Sequence, residues 1–277
     1  MRLAVFGGDE RMHGALAAAK AAGWDALHIT GEEDAPERWA HVDAVMLPWP
    51  HSFREERLVG GEMEKERTLA LLPPCRMLLA GSGVQAEELV QAQRLLDPAQ
   101  DEGFLRANAK LTAEGAIARA MERSGRALLG NTCVVTGFGR IGQELVRRLC
   151  AMEAFVIVCA RNEGQMRRAH ELGAHPVPLG EIRSALRHAD VVFNTIPAHV
   201  LGKAALDQIA KDALVIELAS PPYGMNLEMA KHMGVNVVVE GGLPGRYAAM
   251  DAGAALFDAL QRAMEQVENE EGGKAHG

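Results

Sequence analysis

The chain has 277 residues and a net charge of −8, with 48% hydrophobic and 24% charged residues. That length points to two domains at roughly 100–200 residues each, and the composition is that of a globular protein. The acidic balance excludes a broad basic surface for DNA or RNA, so an anionic ligand must be held by a few arginines and backbone N–H groups. Aromatics are only 4% while Ala, Leu, Val and Gly abound, a bias that suits parallel strands covered by helices.

Residues 3–6, the first apolar stretch, are too few for a secretory signal. The longest apolar stretch, 69–80, is interrupted by Pro73, Pro74, Cys75 and Arg76, and a membrane span needs about 20 residues. A cytoplasmic protein without a membrane partner is expected. Cys75, Cys133, Cys150 and Cys159 lack C-x-x-C spacing and read as buried thiols. His51, His170, His175, His188 and His232 form no metal-ligand pattern, so no metal site is expected.

A first strand over residues 2–6 leads through Gly7-Gly8-Asp9-Glu10-Arg11 into a helix that Gly23 stops. Strands are expected at 26–29, 43–47 and 77–80, with helical patterns between and after them, including 86–96. Residues 102–123 read as one long helix with apolar positions at Phe104, Leu105, Ala109, Leu111, Ala116, Ile117, Ala120 and Met121. Beyond it, strands at 132–136, 154–160, 190–195, 213–218 and 235–239 alternate with helices at 141–151, 164–172, 180–187, 202–210 and 226–233. Gly241-Gly242-Leu243-Pro244-Gly245 reads as a loop before a last helix over 249–267, and the charged, Gly-rich tail from residue 268 reads as frayed or disordered.

The expected architecture is α/β, two Rossmann-like domains with parallel sheets joined by a long linking helix. Residues 1–103 form a substrate-side domain completed by helix 249–267, residues 104–124 the linking helix, residues 125–248 a dinucleotide-binding domain, and residues 268–277 a flexible tail. Ala252, Ala255, Ala259 and Ala263 give the last helix a small-residue face. That face fits either a return to the amino-terminal domain or a homodimer seam.

Gly137-Phe138-Gly139-Arg140-Ile141-Gly142 fits G-x-G-x-x-G, and it follows an apolar strand and opens an amphipathic helix, the context the motif requires. Gly137 permits the tight turn, Gly139 lets a pyrophosphate approach the backbone, and Gly142 lets the helix pack close. The free N–H groups and positive dipole of the helix start suit phosphates, with Arg140 as a further contact. NAD binders carry a carboxylate about 20 residues further on. Here Arg161 stands in that place, and a guanidinium pairs well with a 2′-phosphate. NADP is therefore favoured over NAD. Thr195, Pro197, Ala219 and Ser220 end later strands, where ligands bind in open α/β sheets, and are candidates for the nicotinamide side.

These segments, with Gly7-Gly8-Asp9-x-Arg11, Asn108-Ala-Lys-Leu-Thr-Ala-Glu-Gly-Ala-Ile117, Asn194-Thr-Ile-Pro197, Leu218-Ala-Ser220 and Gly242-Leu-Pro-Gly245, together resemble the family of dipicolinate synthase A subunits over nearly the whole chain. The resemblance implies an oxidoreductase that works with the dipicolinate synthase B subunit in the mother-cell cytoplasm of endospore formers. There it converts a hydroxylated tetrahydrodipicolinate from the lysine pathway into pyridine-2,6-dicarboxylate by loss of water and two-electron oxidation. The sequence departs from the family pattern at Pro222-Tyr223-Gly224-Met225-Asn226 and at Ala249-Met250-Asp251-Ala252-Gly253, segments expected to border the substrate.

A dicarboxylate substrate calls for cations and N–H donors. Gly7, Gly8, Arg11, Asn108, Thr112 and Arg246 are the substrate-binding candidates, Ser220 could also reach a carboxylate, and Asn108, Thr112 and Gly115 share one helix face. Asp9, Glu114 and His199 are the acid–base candidates. Two other readings stand beside this one: a 2-hydroxy-acid dehydrogenase with a different substrate, and an NADP-binding subunit whose partner does the chemistry.

Overall fold

The structure, a computed structural model, describes residues 1–32, 41–85 and 91–274, with side chains to residue 270. The chain divides into two compact units, Met1–Asn108 with Ala248–Gly277, and Ala109–Tyr247.

In the first unit β1 (Arg2–Phe6), α1 (Glu10–Ala21), β2 (Asp25–Ile29) and β3 (Val42–Met46) come first. A short hairpin of β4 (Phe53–Arg54) and β5 (Arg57–Leu58) follows, then α2 (Lys65–Leu71), β6 (Cys75–Leu79) and β7 (Ala92–Leu96). The main sheet runs β2-β1-β3-β6-β7 with every pairing parallel. Numbered within that sheet, the order is 2-1-3-4-5, the doubly wound arrangement whose ligand crevice opens between the first and third strands. The strands are apolar runs because both faces are covered: Leu3, Ala4, Val5 and Phe6 are fully buried.

The expected helix over 86–96 is corrected in part. Residues 86–90 lie outside the described residues, and Ala92–Leu96 is a strand. The Ala-Gln-Arg-Leu-Leu segment has good helix propensity, but the free edge of β6 offers it a full ladder, and tertiary pairing overrides the local preference.

Helix α3 (Glu102–Ser124) runs through the point where the two units divide. In the first unit α10 (Ala249–Lys274) packs along α1 at very short range. A Cβ at Gly253 would stand 1.8 Å from the Arg11 carbonyl oxygen, and one at Gly14 would stand 2.3 Å from that of Met250. Ala252, Ala255 and Ala259 are buried in this contact and the core beneath it. In the segment 249–253, expected to border the substrate, Ala252 and Gly253 are therefore helix-packing surface, while Met250 and Asp251 are exposed. The charged tail is also corrected in part: residues 275–277 lie outside the described residues, but α10 continues to Lys274, with Glu268 paired to Arg76 at 3.4 Å and Glu270 to Arg94 at 2.8 Å.

The second unit contains β8 (Thr132–Thr136), α4 (Arg140–Ala151), β9 (Phe155–Ala160), α5 (Glu163–Glu171), β10 (His175–Pro178), α6 (Ile182–Leu186) and β11 (Val191–Asn194). After them come α7 (Lys203–Leu206), β12 (Leu214–Glu217), α8 (Leu227–His232), β13 (Asn236–Val239) and α9 (Leu243–Tyr247). Its sheet is parallel in the order β10-β9-β8-β11-β12-β13. That is 3-2-1-4-5-6 within the unit, the dinucleotide-binding arrangement with its switch point between β8 and β11. β10 is a strand beyond those expected, and it contains Pro176 and Pro178. It lies at the sheet edge, where missing N–H donors are tolerated. The expected loop 241–245 likewise turns into helix at Leu243.

The α1–α10 crossing gives a first prediction. Gly253→Val should destabilise the fold by about 1–3 kcal/mol or more, the cost of overpacking, and so lower the thermal midpoint. An unchanged midpoint would mean that the two helices do not lie this close.

Candidate dinucleotide site

The sequence Thr-Cys-Val-Val-Thr forms β8 because it is β-branched and fully covered, and the chain then turns on three glycines. Gly137 has φ +91°, a left-handed backbone that favours glycine. Its N–H donates to the Cys159 carbonyl at 2.9 Å, and a Cβ there would meet Thr195 Oγ1 at 2.7 Å. Gly142, in the first turn of α4, has its Cα so close to the turn that a Cβ would lie 2.4 Å from the Gly137 carbonyl oxygen. Phe138 is buried and anchors the turn.

Gly139, the N-cap of α4, is different, for it is exposed and a Cβ there would meet nothing within 4 Å. The protein itself does not require a glycine at this position. A ligand approaching the backbone does, and the first N–H groups of a twelve-residue helix point there without intrahelical acceptors. The residues present therefore fit a dinucleotide pyrophosphate. Ile141 packs half-buried on the core and Arg140 is exposed beside the turn.

Arg161 directly follows β9. Asn162 caps α5 by accepting from Gln165 N at 2.9 Å, and the Arg161 N–H donates to Gln165 Oε1 at 3.3 Å. The Arg161 side chain is exposed and, among the described residues, has no ion-pair partner. Thr195 and Pro197 follow β11 and Ala219 and Ser220 follow β12, so all four share the carboxyl edge of adjacent strands with the glycine turn. Thr195 Oγ1 donates to the Thr136 carbonyl at 2.8 Å.

Beneath these loops lies a buried polar network that pattern reading missed. Glu217, Asn194 and Thr136 are all fully buried. Glu217 accepts from Asn194 Nδ2 at 2.7 Å, from Ala219 N at 2.9 Å and from Gly224 N at 3.0 Å. Asn194 Oδ1 accepts from the Thr136 hydroxyl and from Ile196 N. Gly224 rests on the Asn194 amide, where a Cβ would collide at 2.2 Å. The network fixes the loops after β11 and β12 from below. The signal available in the sequence was a carboxylate inside Leu214-Val-Ile-Glu-Leu218, out of place in an apolar strand. Burial pushes the Glu217 carboxyl above the usual carboxylate range, against the pull of Asn194 and the Gly224 and Ala219 N–H groups.

Other candidates have partners that change their role. Gly7 N–H donates to the Ile29 carbonyl at 2.8 Å and Gly8 N–H to that of Val59 at 2.6 Å, so neither is open to a substrate carboxylate as expected. Asp9 caps α1 and grips Arg11 with both oxygens. Burial raises its carboxyl, but the hydrogen bonds and charge of Arg11 outweigh that and hold it below the usual range, which makes it a weak base. The Arg11 fork is taken up in the same pair. Glu114 is exposed and paired with Arg148 at 2.8 Å. Thr112 is buried, Asn108 is half-buried, and the Gly115 face is covered by α9, where a Cβ would stand 2.9 Å from Leu243 Cβ. The expected open face at Gly115 is thus packed. Arg246 gives one arm to buried Glu240 at 2.8 Å and the other to the Gly241 carbonyl at 3.0 Å, while Arg119 holds Glu240 from the other side. His199 is exposed, its Nε2 3.1 Å from the Pro222 carbonyl. Of the segments that depart from the family pattern, 222–226 supplies Gly224 to the network and Asn226 as the cap of α8.

Residues 102–221 match the family described as D-isomer specific 2-hydroxyacid dehydrogenase, NAD binding domain. The dipicolinate synthase A subunit of Bacillus subtilis (strain 168) is 31% identical over 161 residues, which cover 58% of this chain and 54% of that protein. The chain is similar to the dipicolinate synthase A subunits. The aligned segment spans about half the length of that curated relative, whereas the likeness in structure runs from end to end. The crystal structure of the dipicolinate synthase A chain from Bacillus subtilis superposes with a TM-score of 0.82 at 25% identity, covering 98% of this chain and 97% of that one. That of the corresponding A chain from Bacillus halodurans gives 0.79 at 25% identity, covering 95% and 97%. The likeness of residues 102–221 is to an NAD-binding domain of dehydrogenases. No helix among the described residues is long and apolar enough to cross a membrane.

Because Glu217 holds its proton more tightly when folded, its contribution to stability is full below the unfolded value of about 4.3 and declines as pH rises through the folded value. Glu217→Gln should remove that decline from the pH dependence of the urea midpoint. An identical pH dependence in wild type and variant would show that Glu217 is not the titrating group.

Proposed function

We propose that the chain is an oxidoreductase of the dipicolinate synthase type, using NADP to oxidise a hydroxylated or partly reduced pyridine-2,6-dicarboxylate precursor to the aromatic dicarboxylate. The observation that carries this reading is the open Gly139 at the N-terminus of α4 in a chain related to the dipicolinate synthase A subunits. When bound, the nicotinamide supplies a two-electron hydride acceptor. Gly137, Gly139, Arg140, Ile141 and Gly142 would hold the pyrophosphate, Arg161 the 2′-phosphate, and Thr195, Pro197, Ala219 and Ser220 the nicotinamide end. In this reading the Glu217–Asn194–Thr136 network keeps the last four in place before any ligand arrives. Arg246 keeps one face toward solvent and is proposed to meet a substrate carboxylate. Asn108 and Thr112 serve substrate positioning, with Gly7, Gly8, Asp9 and Arg11 framing the first unit's loop as a structural support.

By the same kinship the chain works with a second polypeptide, the dipicolinate synthase B subunit, in the mother-cell cytoplasm during sporulation. A second reading draws on the pairing of Asp9 with Arg11 and Glu114 with Arg148, which occupies both carboxylates. It makes the chain an NADP-binding subunit whose partner carries the chemistry. The 2-hydroxyacid dehydrogenase likeness of residues 102–221 would instead give a hydroxy-acid substrate.

Calorimetric titration with NADPH and NADH separates the cofactors. NADPH should bind more tightly to wild type, and Arg161→Ala should lose that preference, on the order of tenfold for one charge-assisted contact. Equal affinities in wild type would overturn the assignment to NADP. Formation of pyridine-2,6-dicarboxylate by the isolated chain, or only after adding the B subunit, decides between the first two readings.

A further inference from the structure

The first unit has a polar apparatus of its own at the edge where its strands end. β3 and β6 are neighbours in register, and the segments after them are laced together. Leu47 N donates to the Leu79 carbonyl at 2.8 Å, Ser82 N to that of Pro50 at 2.8 Å, and Ser52 N to that of Ser82 at 2.9 Å. The Ser52 hydroxyl, fully buried, donates to the Pro48 carbonyl at 3.0 Å and accepts from Gly81 N at 2.8 Å. Gly81 has no room for a side chain, since a Cβ would lie 2.5 Å from the Pro50 carbonyl oxygen.

What this clasp holds outward is an exposed pair, His51 and Ser82, with Nδ1 and Oγ 2.5 Å apart. Nε2 has no partner among the described residues. An exposed hydrogen bond of this kind adds little to stability, whereas the clasp behind it uses a buried serine and a glycine to fix it. The strand that delivers His51 is one of the pair flanking this sheet's switch point.

The hairpin that begins two residues later adds charge. Arg54 and Arg57 are direct cross-strand partners, both exposed, and neither has an ion pair among the described residues. Like charges placed opposite each other are destabilising, and an anion bound there would relieve them. Glu55 and Glu56 form the turn between them, Glu64 forms a backbone bridge to Arg57 on its other side, Glu62 lies on the loop before it, and Lys65 stands over the Phe53 ring. The segment after β6 contributes only Ser82 and no charge through residue 85.

We propose that His51, oriented by Ser82, is the proton-accepting group of a small-molecule carboxylate site on the carboxyl edge of the first unit's sheet, with Arg54 and Arg57 as its cationic rim. With Nδ1–H donating to Ser82 Oγ, the Nε2 lone pair faces outward and takes the proton of a substrate N–H, whose bonding pair stays on that nitrogen. The resulting imidazolium, with both nitrogens protonated, passes that proton to water. The carboxylate class rests on the proposed function, while the proton role rests on the clasp alone. An imidazole has the intrinsic affinity for such a transfer near neutral pH, and neither Asp9 nor Glu114, each bound to an arginine, is free for it.

The test uses the full chain with NADP present and pyridine-2,6-dicarboxylate as probe, titrated calorimetrically at several pH values. Wild type should bind more tightly as pH falls through the His51 titration, and the His51 imidazole NMR resonance should titrate at higher pH with the probe bound. His51→Gln should lose roughly tenfold in affinity at the acid end and all of that pH dependence, with Ser82→Ala intermediate. Arg54→Ala with Arg57→Ala should weaken binding at every pH. All three variants should leave the melting temperature in place. Binding by His51→Gln with the wild-type pH dependence would overturn the His51 assignment and leave the dicarboxylate reading standing. A wild type that does not bind the probe would overturn the carboxylate class, and with it the proposed substrate.

Discussion

The close passage of α4 over the glycine turn governs how the second unit presents its ligand edge. With the Gly142 Cα pressed toward the Gly137 carbonyl, the helix starts directly above the end of β8, and its unsatisfied N–H groups face the switch point of the sheet. A side chain at either glycine would push the helix away. That contact also sets the position of Thr195, whose hydroxyl lies against Gly137 and bonds back to Thr136. The glycine turn, the β11 loop and the network under it are thus mechanically one piece.

The buried Glu217 is the costly part of that piece. A carboxyl sealed in an apolar strand is tolerated because donors converge on it. Its position joins the loops after β11 and β12 through hydrogen bonds alone. The fold accepts an electrostatic penalty at the point where two loops must hold one shape, as sites organised for a ligand do. In the first unit a serine, Ser52, plays the same part for the loops after β3 and β6. Each sheet thus supports its carboxyl-edge loops from buried polar side chains, Ser52 in the first unit and Glu217, Asn194 and Thr136 in the second.

Much of this architecture could be read from local pattern. The long apolar runs, the G-x-G-x-x-G between strand and helix, and the place of Arg161 at the end of β9 depend only on residues near one another in sequence. What pattern reading missed depends on distant partners. Ala92–Leu96 became a strand because β6 had a free edge. The tail from Glu268 stayed helical because Arg76 and Arg94 are there to pair with it. Gly7 and Gly8 resembled an anion-binding turn, but their N–H groups had acceptors waiting on Ile29 and Val59. His51 was one histidine among scattered others until Ser82, 31 residues away in sequence, was brought against its ring.

Gly139 is the glycine of the turn that the protein does not need for its own packing. The decisive measurement is therefore dinucleotide binding by Gly139→Val, alongside its far-UV circular dichroism and thermal midpoint. The variant should fold, with a midpoint within a few degrees of wild type, and no longer bind NADPH. A folded variant that binds NADPH as tightly as wild type would contradict this, because the pyrophosphate could not then lie against the start of α4.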